Sequence, residues 1–82
     1  MIIKYPLLTE KAVGLIEKEN KIAFIVDKNA NKEEIKKEVE EKYGVKVEKV
    51  TVVNTMKGRK KAYIKLKPEF KATDLALKLK II

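Results

Sequence analysis

Residues 45–67 read VKVEKVTVVNTMKGRKKAYIKLK, and their alternation of apolar and charged side chains leaves this part of the chain few ways to fold. Ala62, Ile64 and Leu66 alternate with Lys61, Tyr63, Lys65 and Lys67. A period of two places apolar side chains on one face of a β-strand and, here, cations with a phenol on the other. The β-branched run from Val50 to Val53, preceded by Val45 and Val47, predicts the partner strand. Lys57, Gly58, Arg59 and Lys60 lie between the two runs, where Gly58 can supply the positive φ that a tight connection needs. The stretch predicts a β-hairpin with a cationic tip.

Charge singles out the same stretch. Residues 45–67 hold eight Lys or Arg and a single acid, Glu48, for a net +7, against +8 for the whole chain. The other 59 residues, with 12 basic and 11 acidic groups, net only +1. A sequence pI near 9.7 points to a polyanionic partner, nucleic acid or an anionic membrane surface. No apolar run approaches the roughly 20 residues of a membrane span, and the start of the chain lacks a signal peptide's order of regions, so no membrane insertion and a cytoplasmic location are expected.

The residue types that are missing exclude much chemistry. The chain has no Cys, His, Ser, Gln or Trp, which removes disulfides, thiolate and imidazole metal sites, and nucleophile–base arrangements built on Ser, Cys or His. No cofactor, no metal site and no catalytic residue is expected. Abundant Lys and Glu, without Cys or Gln and with only four Asn, point toward a hot-environment source.

Eighty-two residues form one domain, 1–82, with one modest core. Met1 to Tyr5 is a short run ahead of Pro6, read as an edge strand or an arm. Thr9 is a good N-cap for a short helix from Glu10 to about Lys18, with Ala12, Val13, Leu15 and Ile16 as its apolar face and Gly14 as a mark of close packing. Asn20 and Lys21 turn the chain into Ile22 to Asp27, apolar on both faces and therefore read as a central strand covered on both sides.

Asn31 and Glu34 have the spacing of a capping box, starting a second helix that runs to about Tyr43 with Gly44 beyond its end. Ile35, Val39 and Tyr43 form its buried stripe. The remainder is a solvated face of mixed charge, with Glu33, Lys36, Lys37 and Glu38 each four residues from an opposite charge. After the hairpin, Pro68 ends the strand. The tail ATDLALKLKII fits both a strand and a helix, but Thr73 and Asp74 near its start and Lys78 and Lys80 near its end suit a helix dipole, so a helix is predicted, with Leu77, Ile81 and Ile82 partly exposed. The order β-α-β-α-β-β-α predicts an α+β fold with helices packed on a mainly antiparallel sheet.

Asn54, Thr55, Lys57, Gly58, Arg59, Lys60 and Lys61 form the one dense constellation. Lys and Arg reach phosphates, Arg can hold two phosphate oxygens at once, and Asn and Thr can bond sugar hydroxyls or base edges. Tyr63 and Lys65 continue the positive face down the strand. A basic strand face and turn suit an irregular folded RNA better than a DNA major groove. Tyr63 is the only aromatic residue of the hairpin, so the paired aromatics of single-strand readers are not expected. The plainer alternative is a soluble hairpin whose lysines protect an edge strand.

YPLLTEKA at the start, KIAFIVDKNANKEEIKKEVEEKYGVKVEKV in the middle and VNTMKGRKKAYIKL in the hairpin resemble the ribosomal protein L23 family (uL23) of the large subunit. The likeness covers almost the whole chain in the expected order, and the short connection between Met56 and Lys60 resembles the archaeal form. The resemblance implies binding to 23S rRNA, in its domain III region, at the rim of the polypeptide exit tunnel beside ribosomal protein L29. It also implies a docking surface for nascent-chain factors such as the signal recognition particle. By position, the resemblance makes Thr9, Lys11, Asn54, Thr55, Lys57, Arg59, Lys60 and Lys61 rRNA candidates, with Tyr63 and Lys65 continuing their face. Glu10 and the exposed side of its helix become candidates for factor docking. Thr9 and Glu10 also have a purely structural reading as helix capping, and Thr9 can do both. Outside the ribosome a monomer is expected.

Two other readings stand beside this one. An acylphosphatase-like enzyme would use an Asn and an Arg, here Asn54 and Arg59, on a phosphate-cradling frame, but no Gly-rich phosphate loop precedes a helix. A free-standing RNA-binding or membrane-surface module would share the charge but not a fixed stoichiometry with ribosomal subunits.

Overall fold

Local capping sets where the helices begin and end. The side chain of Thr9 accepts a hydrogen bond from the Ala12 N–H and starts α1 (Glu10–Glu19). Asn31 and Glu34 complete the expected capping box at the start of α2 (Lys32–Tyr43), and Gly44, at φ 67°, closes its end with its N–H donated to the Glu40 carbonyl. The computed structural model describes residues 2–7, 9–55 and 58–79. Within them the order is β1 (Ile3–Pro6), α1, β2 (Lys21–Val26), α2, β3 (Val47–Asn54), β4 (Lys60–Leu66) and α3 (Ala72–Lys78). The predicted α+β architecture and element order are the observed ones.

The four strands form one antiparallel sheet in the order β1-β2-β4-β3. β2 and β4 are central and pair with each other in a register that includes Ile22 with Ile64 and Phe24 with Ala62. Alternate residues share a face. On the first face Ile22, Phe24 and Val26 join Ala62, Ile64, Leu66, Val47 and Val50 in one core, to which the helices bring Ile16, Ile35, Val39, Ala72, Leu75 and Ala76. Tyr43 is half-buried rather than buried, and its ring stacks on Phe24 with centroids 6.0 Å apart.

Sequence reading of β2 as covered on both sides is correct in burial: Ala23 and Ile25, on the second face, are only 2% and 4% exposed. The covering is local. Lys49, Thr51 and Val53 of β3, on that same face, are exposed, so the second face is closed over β2 and open over the hairpin's outer strand.

Further features differ from the sequence reading. Val13 and Leu15 are half-buried, so the buried part of α1 reduces to Ala12 and Ile16. Gly14 does not mark close packing, since a Cβ built there meets no atom within 4 Å. Gly14→Ala is therefore expected to stabilise the protein by about 1 kcal/mol, read as a higher midpoint in thermal unfolding, because it removes the entropy cost of glycine in a helix without a clash. Helix α2 is also less solvated than expected. Glu38 accepts the Ile3 N–H at 2.8 Å and Glu40 accepts the Val47 N–H at 2.9 Å, so two carboxylates of the charged face pin strand backbones.

The ambiguous tail is helical over Ala72–Lys78, with Leu75 and Ala76 buried and Leu77 58% exposed. Lys80, Ile81 and Ile82 lie outside the described residues. No side chain next to it in sequence caps α3. Its first N–H, from Ala72, is accepted by Asn20 Oδ1 at 2.6 Å. Asn20 sits in the left-handed region at φ 56°, and its Nδ2 also donates to the carbonyls of Leu66 (3.1 Å) and Phe70 (2.9 Å). One amide thus ties the α1–β2 turn to the end of β4 and the start of α3.

Candidate nucleic-acid interface

The hairpin closes through a compact turn. Asn54 pairs with Lys60; beyond that pair the Thr55 N–H donates to the Arg59 carbonyl at 2.8 Å, and the Gly58 N–H donates to the Thr55 carbonyl at 3.2 Å. Gly58 has φ 74°, the left-handed geometry expected of it. Thr55 Oγ1 accepts the Arg59 N–H at 3.2 Å, so this candidate contact residue also shapes the turn. Lys57 lies outside the described residues.

Strand pleating divides the candidates between two faces. Lys61, Tyr63 and Lys65 lie on the second face, as the alternation predicts, opposite Ile25, Ala23 and Lys21 of β2 and Val53, Thr51 and Lys49 of β3. Asn54 and Lys60 lie on the first face instead. The Lys60 ammonium donates to the Ala30 carbonyl at 2.6 Å, which anchors the base of the tip to the turn before α2. The constellation that looked continuous in sequence is therefore split, with Lys60 partly engaged by the protein itself.

On the second face, Lys49, Lys65 and Lys21 stand side by side on three adjacent strands. Neighbouring positions of this kind are about 5 Å apart, where like charges repel. Only part of that repulsion is offset at home, by Glu48 at 3.5 Å from Lys65 and Glu19 at 3.4 Å from Lys21. Both pairs are open to solvent on at least one side and worth little in water. A row of crowded cations with weak local partners is a favourable place for a polyanion. Sequence reasoning missed Lys21 and Lys49 because only the strand order reveals that they flank Lys65.

The tip also acquires a residue from the far end of the chain. Tyr5 pairs with Ile25, which pairs with Lys61, so Tyr5 shares the second face with Tyr63. Its hydroxyl accepts a hydrogen bond from Arg59 Nη1 at 3.2 Å. Tyr63 is the only aromatic residue of the hairpin, and Tyr5 of β1 adds a second to this surface, 43% exposed. Arg59 and Asn54 diverge, the one toward Tyr5 on the second face and the other on the first, which is not the shared cradle that an acylphosphatase-like site needs.

Thr9, Glu10 and Lys11 are all exposed on the first turn of α1, and Thr9 performs the capping role foreseen for it. Among the described residues, no buried side chain is polar or charged, so the groups able to do chemistry lie at the surface.

Fold and charge define a class: a small basic α+β protein that spreads its surplus cations over a hairpin and the sheet face beside it. The model of the family Ribosomal protein L23 matches residues 1–74. The chain belongs to that family, one of structural ribosomal proteins of the large subunit and not of enzymes, and so to the ribonucleoprotein machinery of translation.

Proposed function

We propose that this protein binds 23S rRNA of the large subunit, in the domain III region beside the polypeptide exit tunnel, through the second face of its hairpin and the hairpin tip. The observation that carries this reading is the Lys49–Lys65–Lys21 row, which shares its face with Lys61 and with Arg59 at Tyr5, on a face left open over β3. Lys61, Lys65 and Arg59 neutralise phosphates, Tyr63 offers an aromatic edge, and Thr55, Asn54 and Lys57 contact the RNA around the tip. Thr9 and Lys11 make a second contact from α1.

The same reading takes ribosomal protein L29 as the neighbour. It assigns the exposed side of α1, with Glu10, to docking of nascent-chain factors such as the signal recognition particle. The short hairpin connection supports the archaeal type. Location is then cytoplasmic, on the ribosome, with a monomer when free.

Purified large subunits test the proposal. After high-salt washing, quantitative mass spectrometry should find one copy of the protein per subunit, crosslinked to domain III nucleotides through residues of the hairpin. Loss of the protein at moderate salt, or crosslinks confined to α2, would reject the assignment.

A further inference from the structure

Beside β1 the hairpin tip borders an open notch of about 520 Å³, lined among others by Lys4, Tyr5, Ile25, Lys28, Arg59 and Lys60. That is the scale of a small-ligand site, roughly 300 to 1,000 Å³. Four of these residues are cationic, and the one acid in the lining, Asp27, already accepts the Asn29 N–H at 2.9 Å. Lys60 spends one donor on the Ala30 carbonyl and keeps two. The wall opposite the tip is the Tyr5 ring, 43% exposed and tethered through its hydroxyl to Arg59.

A tethered, exposed aromatic beside several cations, with apolar Ile25 in the lining, complements both groups that an unpaired nucleotide presents: the ring stacks on its base and the cations pair with its phosphate. We infer that this notch receives one unpaired nucleotide of the bound RNA, with its base against Tyr5 and its phosphate among Arg59, Lys28 and Lys4. The inference rests on the rRNA-binding reading and deepens it. A base-paired nucleotide keeps both ring faces within its helix and cannot use the site, whereas a splayed one can. The Tyr5–Arg59 hydrogen bond holds the wall and the cation in register before RNA arrives, which reduces the ordering that binding would otherwise require. Neither Lys4 nor Lys28 belongs to the hairpin, so the notch extends the RNA contact to β1 and to the turn after β2.

The test uses the full chain and isolated large-subunit rRNA, with affinity titrated against salt. Tyr5→Leu is expected to weaken binding about tenfold, the usual scale for losing one stacked base, while leaving the salt slope unchanged because no phosphate contact is removed. Tyr5→Phe, which keeps the ring, should lose less than about threefold. Short-wavelength ultraviolet crosslinking of the unaltered protein should join Tyr5 to a nucleotide whose 2′-hydroxyl is chemically reactive in free rRNA, the sign of an unpaired position.

Wild-type affinity in Tyr5→Leu would overturn the inference. So would equal losses in the Phe and Leu variants, since the hydroxyl and not the ring would then matter, or a crosslink to a paired nucleotide. If Tyr5→Leu does not fold, the crosslink on unaltered protein decides, and its absence from Tyr5 rejects the site. Failure of the unaltered protein to bind rRNA at all would instead reject the reading beneath it.

Discussion

Replacing Arg59, Lys61 and Lys65 together by Gln should flatten the salt dependence of rRNA binding by about two to three units of log–log slope. Four to six neutralised phosphates on duplex-like RNA give the unaltered protein a slope of very roughly −4 to −5, and each lost cation removes about 0.7 to 0.9. Near 0.1 M salt the affinity should fall by about two orders of magnitude. Folding should survive, because these side chains are exposed or half-buried and Lys65 forms only an exposed pair with Glu48. The control is an equal loss of charge elsewhere: Lys32, Lys36 and Lys37, exposed on α2 among Glu33, Glu34 and Glu41, changed to Gln. That variant should keep its slope. Equal flattening in both would mean that net charge and not the hairpin surface governs binding, and the proposed interface would be misplaced.

The largest stability effect is expected at Asn20, far from the cationic face. Asn20→Ala removes three hydrogen bonds, to Leu66, Phe70 and Ala72, and leaves a residue with a Cβ at φ 56° without the side chain that favoured this geometry. At about 1 kcal/mol net per bond, the cost is about 3 kcal/mol, and thermal unfolding of a domain this size should drop by roughly 12 to 24 °C. Two further variants separate the causes. Asn20→Gly relieves the positive φ but not the lost bonds, so it should be milder than Ala. Asn20→Asp keeps the acceptor for Ala72 but sets a carboxylate against two carbonyls, and should be at least as harmful as Ala. A neutral Asn20→Asp variant would show that the amide's two donated bonds do not hold the turn together.

Asn20 also shows where reading the sequence stops. As a residue between a helix and a strand it is legible as a turn former, since Asn tolerates the left-handed region. Its partners lie 46 to 52 positions away, and no local pattern encodes them. Asp74 lies in the first turn of α3, where the dipole argument puts it, but the helix's first N–H is satisfied by that distant amide, which no nearby residue announces. Gly14 was over-read for the opposite reason: a glycine in a helix suggests a close neighbour, but only the surrounding atoms decide whether one is there.

The candidate interface divides in the same way. Alternation within β4 was enough to place Lys61, Tyr63 and Lys65 on one face, because a pleat is a local property. Tyr5, Lys21 and Lys49 could not be added from the sequence, since strand order and register bring them there. Lys60 looked equivalent to Lys61 in a run of basic residues, yet one step along a strand reverses its direction and sends it to the Ala30 carbonyl.

By itself, then, the chain's order of residues determined the elements, their caps, the hairpin and the gathering of charge upon it, since each of these arises from interactions between near neighbours. Only the tertiary structure decided which cations share a surface, that Tyr5 meets Arg59, and that a single asparagine joins three segments. Those are contacts across the sheet and between distant turns, made when hydrophobic burial brings together strands whose sequence separation hides their adjacency.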